Sequence, residues 1–159
     1  MSAAIDRRFL SLALSLGRRG QGSTWPNPAV GCVIVKGGRI LGRGWTAPGG
    51  RPHAEPQALA QAGAAARGAT AYVSLEPCSH HGQTPPCTDA LIAAGIARVV
   101  APIADTDPRV SGQGFDRLRA AGIAVTTGLS VAEAERDHAG FFVRNETGRP
   151  FVTLKLASS

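Results

Sequence analysis

Short apolar segments of two different periodicities alternate along most of the chain, and this alternation is the strongest constraint on its fold. Runs rich in β-branched residues, such as 30–35 and 70–75, are typical of buried strands. Segments such as 5–16 carry apolar residues at helical spacing instead. Strands and helices in alternation predict a three-layer α/β domain around one sheet. The predicted helices are 5–16, 53–66, 87–94, 115–121 and 131–144, and the predicted strands are 30–35, 40–45, 70–75, 99–103 and 123–127.

The last 30 residues of the sequence predict a capped helix followed by a terminal strand. Ser130 is predicted to cap the helix that follows it, with Glu133 at the reciprocal capping position. Residues 151–156 predict a strand, and the chain stops soon afterwards at Ser159. Because domains usually end in polar, poorly ordered residues, we interpret this strand as the start of a second domain. The alternative is that it pairs with the main sheet.

The basic charge is scattered and does not form a binding surface in the sequence. The formal net charge is +6, from 15 Arg and 2 Lys against 11 acidic residues. No block of five or six basic residues occurs, so we expect no nucleic-acid partner, whereas an anionic small substrate is compatible. No apolar run approaches the roughly 18 residues of a membrane span. With no signal peptide evident, we expect no membrane association and a cytoplasmic location.

Histidine and cysteine concentrate between residues 53 and 87. His53, Cys78 and Cys87 offer three ligands of the type that Zn²⁺ prefers, and three protein ligands leave a position open, as in catalytic zinc sites. Zinc lowers the pKa of water bound at such a position towards neutrality. Glu55 is placed to shuttle protons to a leaving amine. One zinc ion per chain is therefore expected.

These residues form the zinc-deaminase signature, His-x-Glu followed by Pro-Cys and a second Cys. The usual two residues between the cysteines are replaced here by eight, residues 79–86. They lie within the string Glu-Pro-Cys-Ser-His-His-Gly-Gln-Thr-Pro-Pro-Cys from Glu76 to Cys87. This string, together with Pro-Asn-Pro-Ala-Val-Gly at 26–31, resembles the deaminase domain of the RibD family of riboflavin biosynthesis. The resemblance extends to residues 105–114 and 148–159 and so covers essentially the whole chain.

The resemblance implies an α/β/α cytidine-deaminase-like fold with a central mixed sheet. It implies hydrolytic deamination of 2,5-diamino-6-(5-phosphoribosylamino)pyrimidin-4(3H)-one to 5-amino-6-(5-phosphoribosylamino)uracil and ammonia. It also implies that residues 1–147 are the deaminase domain. Residues 148–159 would be a linker and the first strand of a C-terminal reductase domain, the only part that would use NADPH.

Carried over by position, the resemblance makes His53, Cys78 and Cys87 the zinc ligands and Glu55 the proton shuttle. The matching substrate contacts are Asn27, His80, Thr84 and Asp105.

The chain departs from the family pattern at three positions. Thr46 stands where many members have His, Gln83 where many have Lys or Arg, and Asp107 where Asn is common. Thr46 and Gln83 are nevertheless included among the expected substrate contacts. Because Gln cannot supply a charge to a phosphate, Arg51 and Arg109 are candidates to replace it.

Other interpretations of the same residues stay open. A structural zinc site would need a fourth ligand, for which Cys32, His80 or His81 could be proposed. Cys32 lies in an apolar strand, however, where a buried inert thiol is expected. The other functions considered are a deaminase of tRNA adenine or of a free base, and a zinc-binding module without catalysis. We further expect His138 on the surface and Trp25 and Trp45 in the core, and assembly into a homo-oligomer is compatible with the sequence.

Overall fold

A computed structural model describes residues 2–107 and 111–157 of the chain. Five α-helices lie in this part, at nearly the predicted positions. Helix 53–66 is shorter than predicted, because Gly63 adopts a positive φ at its end and residues 63–66 form a 3₁₀ turn. The helices are α1 (Ala3–Gly17), α2 (Ala54–Ala62), α3 (Cys87–Ala93), α4 (Gln113–Ala120) and α5 (Val131–Thr147).

Five strands form one mixed sheet in the order β2-β1-β3-β4-β5. β1 pairs antiparallel with both β2 and β3, whereas β3, β4 and β5 run parallel to one another. The parallel strands require crossover connections, which α3 and α4 provide. The mixed sheet confirms the predicted fold class. The strands are β1 (Gly31–Lys36), β2 (Arg39–Trp45), β3 (Thr70–Val73), β4 (Arg98–Val100) and β5 (Ala124–Thr126).

Buried side chains form two clusters, one on each face of the sheet. One cluster brings α2, α3 and α4 against the sheet through residues such as Ala58, Leu91 and Leu118. The other brings α1 and α5 against it through residues such as Leu10 and Ala134. The chain therefore has three layers, with Cys32 fully buried in the sheet as predicted.

Two glycines of β2 let α2 approach the sheet at backbone contact distance. A Cβ atom at Gly42 would overlap the carbonyl oxygen of Ala58, and one at Gly44 would overlap that of Ala54. This close approach fixes the first turn of α2, where His53 and Glu55 lie, relative to the sheet. The glycines of this edge strand thus help to position the site.

The segment predicted as a strand at 151–156 does not pair with the main sheet, which was the alternative to its belonging to a second domain. Residues 151–157 have no regular secondary structure, and Phe151, Val152, Leu154 and Leu156 are exposed. A β-branched and apolar run becomes a strand only where a neighbouring edge supplies hydrogen bonds, and the described residues supply none to this segment.

Two further expectations about α5 are also wrong. Ser130 adopts a left-handed conformation with φ 56° and makes no side-chain cap, while Glu133 pairs with Arg18 at 2.6 Å instead. His138 is only 2% exposed, because this face of α5 packs on the sheet. Its Nε2 lies 3.1 Å from the carbonyl oxygen of Ser74, and burial lowers its pKa, so the neutral ring donates this hydrogen bond.

No helix in the described ranges has both the length and the apolar character needed to cross a bilayer.

Candidate active site

Three side chains of the kind that bind zinc converge at the ends of α2 and α3. His53 occupies the N-cap of α2, and Cys87 is the first residue of α3. Cys78 lies in the loop that follows β3 and precedes α3. The ligand atoms of the three all lie within 4.8 Å of one another. The two helix N-termini thus meet at one point, as the spacing of the motif requires.

The distances between these atoms fit a tetrahedral metal. Nδ1 of His53 lies 3.3 Å from Sγ of Cys87 and 3.8 Å from Sγ of Cys78. Bond lengths of about 2.0 Å to nitrogen and about 2.3 Å to sulfur make the N–S edge of a tetrahedron about 3.5 Å. The three donor atoms and the distances between them therefore fit zinc. Among the described residues this cluster consists of three side chains.

The protonation states of the cluster also favour a cation. Hydrogen bonding from Cys87, including its backbone N–H at 3.3 Å, and from His53 lowers the pKa of Cys78 to about 4. The resulting thiolate, together with burial, raises the pKa of Cys87. The same thiolate raises the pKa of His53. Without a metal the cluster holds one negative sulfur and a proton that a metal would displace.

Glu55 lies in the first turn of α2, beside the ligand cluster. It is 3% exposed, and burial followed by the charge of Cys78 raises its pKa. A buried carboxyl with a raised pKa holds a proton more readily than an exposed one, as a group that takes up and returns a proton must. A group of this kind beside an open metal position is suited to proton transfer.

A cavity of about 210 Å³ opens from the cluster towards solvent. Its lining includes His53, Glu55 and Cys78, and the rest of the lining comes from four loops and α5. The remaining lining residues are Pro26, Asn27, Pro28, Val30, Thr46, Arg51, Leu75, Glu76, His80, Asp105, Asp107, Phe141, Arg144 and Asn145. The cavity can therefore hold a small polar ring against the cluster.

Four of the six predicted substrate contacts line this cavity. Asn27 is fixed by a hydrogen bond from its Nδ2 to the carbonyl oxygen of Gly50 at 2.9 Å. His80 has a buried Nδ1 without a partner among the described residues, so this atom is available to a ligand. Asp105 is buried beside them. Thr46 is buried too, but its hydroxyl already accepts from the backbone N–H of Val30 at 3.0 Å.

The other two predicted contacts lie outside the cavity lining. Gln83 and Thr84 are both exposed on the loop between the two cysteines. Thr84 accepts a hydrogen bond from Nη1 of Arg51, which does line the cavity. Arg109, the other candidate cation, lies outside the described residues.

Glu76 organises the loop that carries Asp105, a role that the sequence did not reveal. Its Oε2 accepts the backbone N–H groups of Asp105 at 3.0 Å and Gly112 at 2.9 Å. Its Oε1 accepts those of Gly114 at 2.8 Å and Phe115 at 3.2 Å, at the start of α4. One buried carboxylate thus ties the ligand loop to the Asp105 loop and to α4.

Helix α5 also contributes residues that sequence reasoning missed. Phe141, Arg144 and Asn145 line the cavity from the far end of that helix. They belong to no motif and lie more than 50 residues from Cys87 in the sequence. Their position at the cavity, with Arg144 beside Trp25, is visible only in the tertiary structure, so the sequence carries no signal for them.

The buried carboxyl of Asp105 makes stability depend on pH. Burial raises its pKa to about 6, above the 3.8 of an exposed aspartate. The folded state therefore binds this proton more tightly than the unfolded state does. The free energy of unfolding falls as the pH rises from about 3.8 to about 6. One pKa unit is worth about 1.4 kcal/mol. We therefore expect the free energy of unfolding of Asp105→Asn to exceed that of the wild type by about 3 kcal/mol near pH 7. Near pH 4 the two proteins should match.

Urea unfolding at both pH values, at equal metal content, measures this difference. Asp116→Asn, which removes an exposed carboxyl of α4, is the control. A gain for Asp105→Asn that is equal at the two pH values would contradict the assigned shift.

The amino-acid sequence of the chain is similar to those of known deaminases. Residues 3–103 match the family model described as the cytidine and deoxycytidylate deaminase zinc-binding region. The RibD riboflavin biosynthesis protein of Escherichia coli K12 is 56% identical over 154 residues, which are 97% of this chain and 42% of that protein. The diaminohydroxyphosphoribosylamino-pyrimidine deaminase of Buchnera aphidicola subsp. Schizaphis graminum is 48% identical over 91% of this chain and 99% of its own length.

A solved structure agrees with the fold. RibD from Acinetobacter baumannii superposes with a TM-score of 0.90 at 45% identity, over 94% of this chain and 42% of that one. The chain thus spans about two fifths of the length of several relatives and almost the whole length of another.

Proposed function

The chain belongs to the cytidine and deoxycytidylate deaminase family, and from this premise we propose that it deaminates 2,5-diamino-6-(5-phosphoribosylamino)pyrimidin-4(3H)-one in riboflavin biosynthesis. Water replaces the amino group, and the products are 5-amino-6-(5-phosphoribosylamino)uracil and ammonia. The observation that carries the proposal is the convergence of His53, Cys78, Cys87 and Glu55 at the floor of one cavity. The Buchnera relative supports the substrate, since it carries this deaminase name over nearly its whole length.

We propose that His53, Cys78 and Cys87 hold one zinc ion. The distances from Nδ1 of His53 to the two sulfur atoms support this assignment, as does the low pKa of Cys78. When bound, zinc supplies Lewis acidity that makes water a nucleophile near neutral pH. The chain's own contribution is to keep both sulfur atoms and the ring nitrogen on one side, so that the cavity side stays open.

Glu55 is the proposed proton carrier of the reaction. Its carboxylate takes a proton from the attacking water and delivers a proton to the departing amino group, which leaves as ammonia. Its burial supports this role, because a carboxyl in a dry site with a raised pKa both accepts and returns a proton. Burial first, and then the charge of the adjacent Cys78, raise this pKa.

Asn27, His80 and Asp105 are the proposed contacts of the pyrimidine. The amide of Asn27 is held by Gly50 and can still accept through its oxygen. The unpartnered Nδ1 of His80 and the buried carboxyl of Asp105 add a second and a third polar group. Thr46, Gln83 and Thr84 are included as proposed contacts, with Thr84 acting together with Arg51.

The proposal extends to organisation and location. We propose that residues 1–147 are the deaminase unit, supported by the end of α5 at Thr147 and the positive φ of Gly148. Residues 148–159 lie outside that unit, and NADPH is assigned only to a reductase unit that they would join. The cytoplasm is the proposed site of the reaction, and no nucleic-acid partner is proposed, because the basic residues are scattered.

Ammonia release from the phosphoribosylamino-diaminopyrimidinone tests the proposal, with zinc removed and then restored. We expect one zinc per chain, loss of turnover after chelation and its recovery when zinc is added. Cytosine, guanine and a tRNA anticodon stem-loop serve as competing substrates. Ammonia released from one of these and none from the pyrimidine would replace the proposed function, and zinc binding without any turnover would favour a non-catalytic module.

A further inference from the structure

An arginine of α5 is held over an exposed tryptophan at the mouth of the cavity. The guanidinium carbon of Arg144 lies 3.5 Å from the centre of the Trp25 ring. Trp25 was expected in the core, but it is 59% exposed. A guanidinium that stacks on an aromatic face keeps its N–H groups at the edge free to donate. Stacking thus orients Arg144 without using its hydrogen-bond donors.

Arg144 lies where two cavities meet. It lines the cavity that contains Glu55 and also an adjoining cavity of about 570 Å³. The two cavities share Asn27 and Phe141 as well, and Trp25 and Arg136 line only the second. A ligand with a ring at the metal cluster and a flexible polar tail would therefore pass Arg144.

The positive charge of Arg144 is not neutralised within the described residues. No carboxylate in residues 2–107 or 111–157 forms an ion pair with it. Asp137, the acidic residue of α5 that lines the second cavity, pairs with Arg18 at 2.9 Å, and Glu133 pairs with the same arginine at 2.6 Å. Arg144 is thus an oriented cation that pairs with no carboxylate of the part of the chain that the structure describes.

Other basic candidates are less available at this place. Gln83 carries no charge and lies on an exposed loop outside the cavity lining. Arg51 lines the first cavity but donates through Nη1 to Thr84. Among the described residues, Arg144 is the one cation that lines both cavities.

We propose that Arg144, oriented by Trp25, binds the phosphate group of the substrate. This inference rests on the proposed function, since it takes the pyrimidine at the metal cluster as the other end of the ligand. Arginine recognises phosphate through paired, charge-assisted hydrogen bonds, which suits a dianion at the cavity mouth. Arg144 is a specificity residue and takes no part in the proton transfers.

Steady-state kinetics of Arg144→Gln with two substrates test the proposal. For the phosphorylated pyrimidine we expect KM to rise about 10-fold or more with little change in kcat, as for a lost hydrogen bond to a charged group. For the dephosphorylated ribosylamino pyrimidine the variant and the wild type should have equal KM. Arg7→Gln, on an exposed position of α1, removes the same charge outside both cavities and should leave both KM values unchanged.

Binding of ribose 5-phosphate, measured by calorimetry with ribose as the blank, distinguishes failure of the proposed function from failure of the phosphate site. If the wild type turns over the pyrimidine and Arg144→Gln has the KM of Arg7→Gln, the proposed function stands and the phosphate site is overturned. If the wild type turns over neither pyrimidine, the proposed function fails. Weaker ribose 5-phosphate binding by Arg144→Gln then supports a phosphate site at Arg144, and equal binding overturns it.

Discussion

Replacing Glu55 by glutamine is expected to lower kcat by roughly 10²- to 10⁴-fold, the usual contribution of general acid–base catalysis. Glutamine has the shape of glutamate but can neither accept the proton of water nor return one to the leaving amine. The side chain is buried beside the cluster, so no bulk water can take its place easily. The loss should appear in kcat, because the role proposed for Glu55 is proton transfer, whereas Asn27 and His80 are the proposed contacts of the ring.

Zinc content distinguishes this role from a structural one. Glu55 offers no atom to the His53, Cys78 and Cys87 group, so Glu55→Gln should still bind one zinc per chain. Glu135→Gln, at an exposed position of α5, is the matched control and should retain full turnover. Wild-type turnover in Glu55→Gln, or zinc lost together with activity, would contradict the assignment.

The sequence predicted well those features that are local or that repeat with a fixed period. A β-branched run predicts β1, and the Gly37-Gly38 turn after it predicts β2. Gly95 marks the end of α3. The convergence of His53, Cys78 and Cys87 was predictable too, because His53 and Cys87 lie at the starts of two helices and Cys78 lies in the loop that leads to the second. Such rules bring the candidate metal ligands together without knowledge of the rest of the fold.

The sequence failed where a residue's environment is created by distant packing. His138 lies among acidic neighbours in sequence, yet the docking of α5 buries it against Ser74. Glu133 was expected to cap its own helix, but Arg18 of the segment after α1 competes for it. Trp25 was expected to fill core space, and instead its ring supports Arg144. Each outcome depends on how α5 meets elements more than 60 residues away in the chain.

Glu76 is the position where one substitution should cost the most stability. Its carboxylate accepts four backbone N–H groups, from Asp105, Gly112, Gly114 and Phe115. A glutamine has the same shape but offers one oxygen, so its NH₂ group must face two of these donors. Leaving buried donors unsatisfied costs about 1–3 kcal/mol each, so with two such donors we expect Glu76→Gln to lose about 2–6 kcal/mol of unfolding free energy.

This loss should also reach the active site, because Glu76 joins the segment before Cys78 to the loop that carries Asp105. With the joint weakened, Asp105 and the N-terminus of α4 lose their common anchor, and KM should rise even where the protein stays folded. Urea unfolding at equal zinc content and steady-state kinetics below the melting range measure the two effects. Glu146→Gln, at an exposed position of α5, removes the same charge and should match the wild type in both. A Glu76→Gln protein as stable as Glu146→Gln would mean that the four N–H groups find other partners, and the coupling between the ligand loop and Asp105 would then have to come from the packing of Gly114 on Pro77.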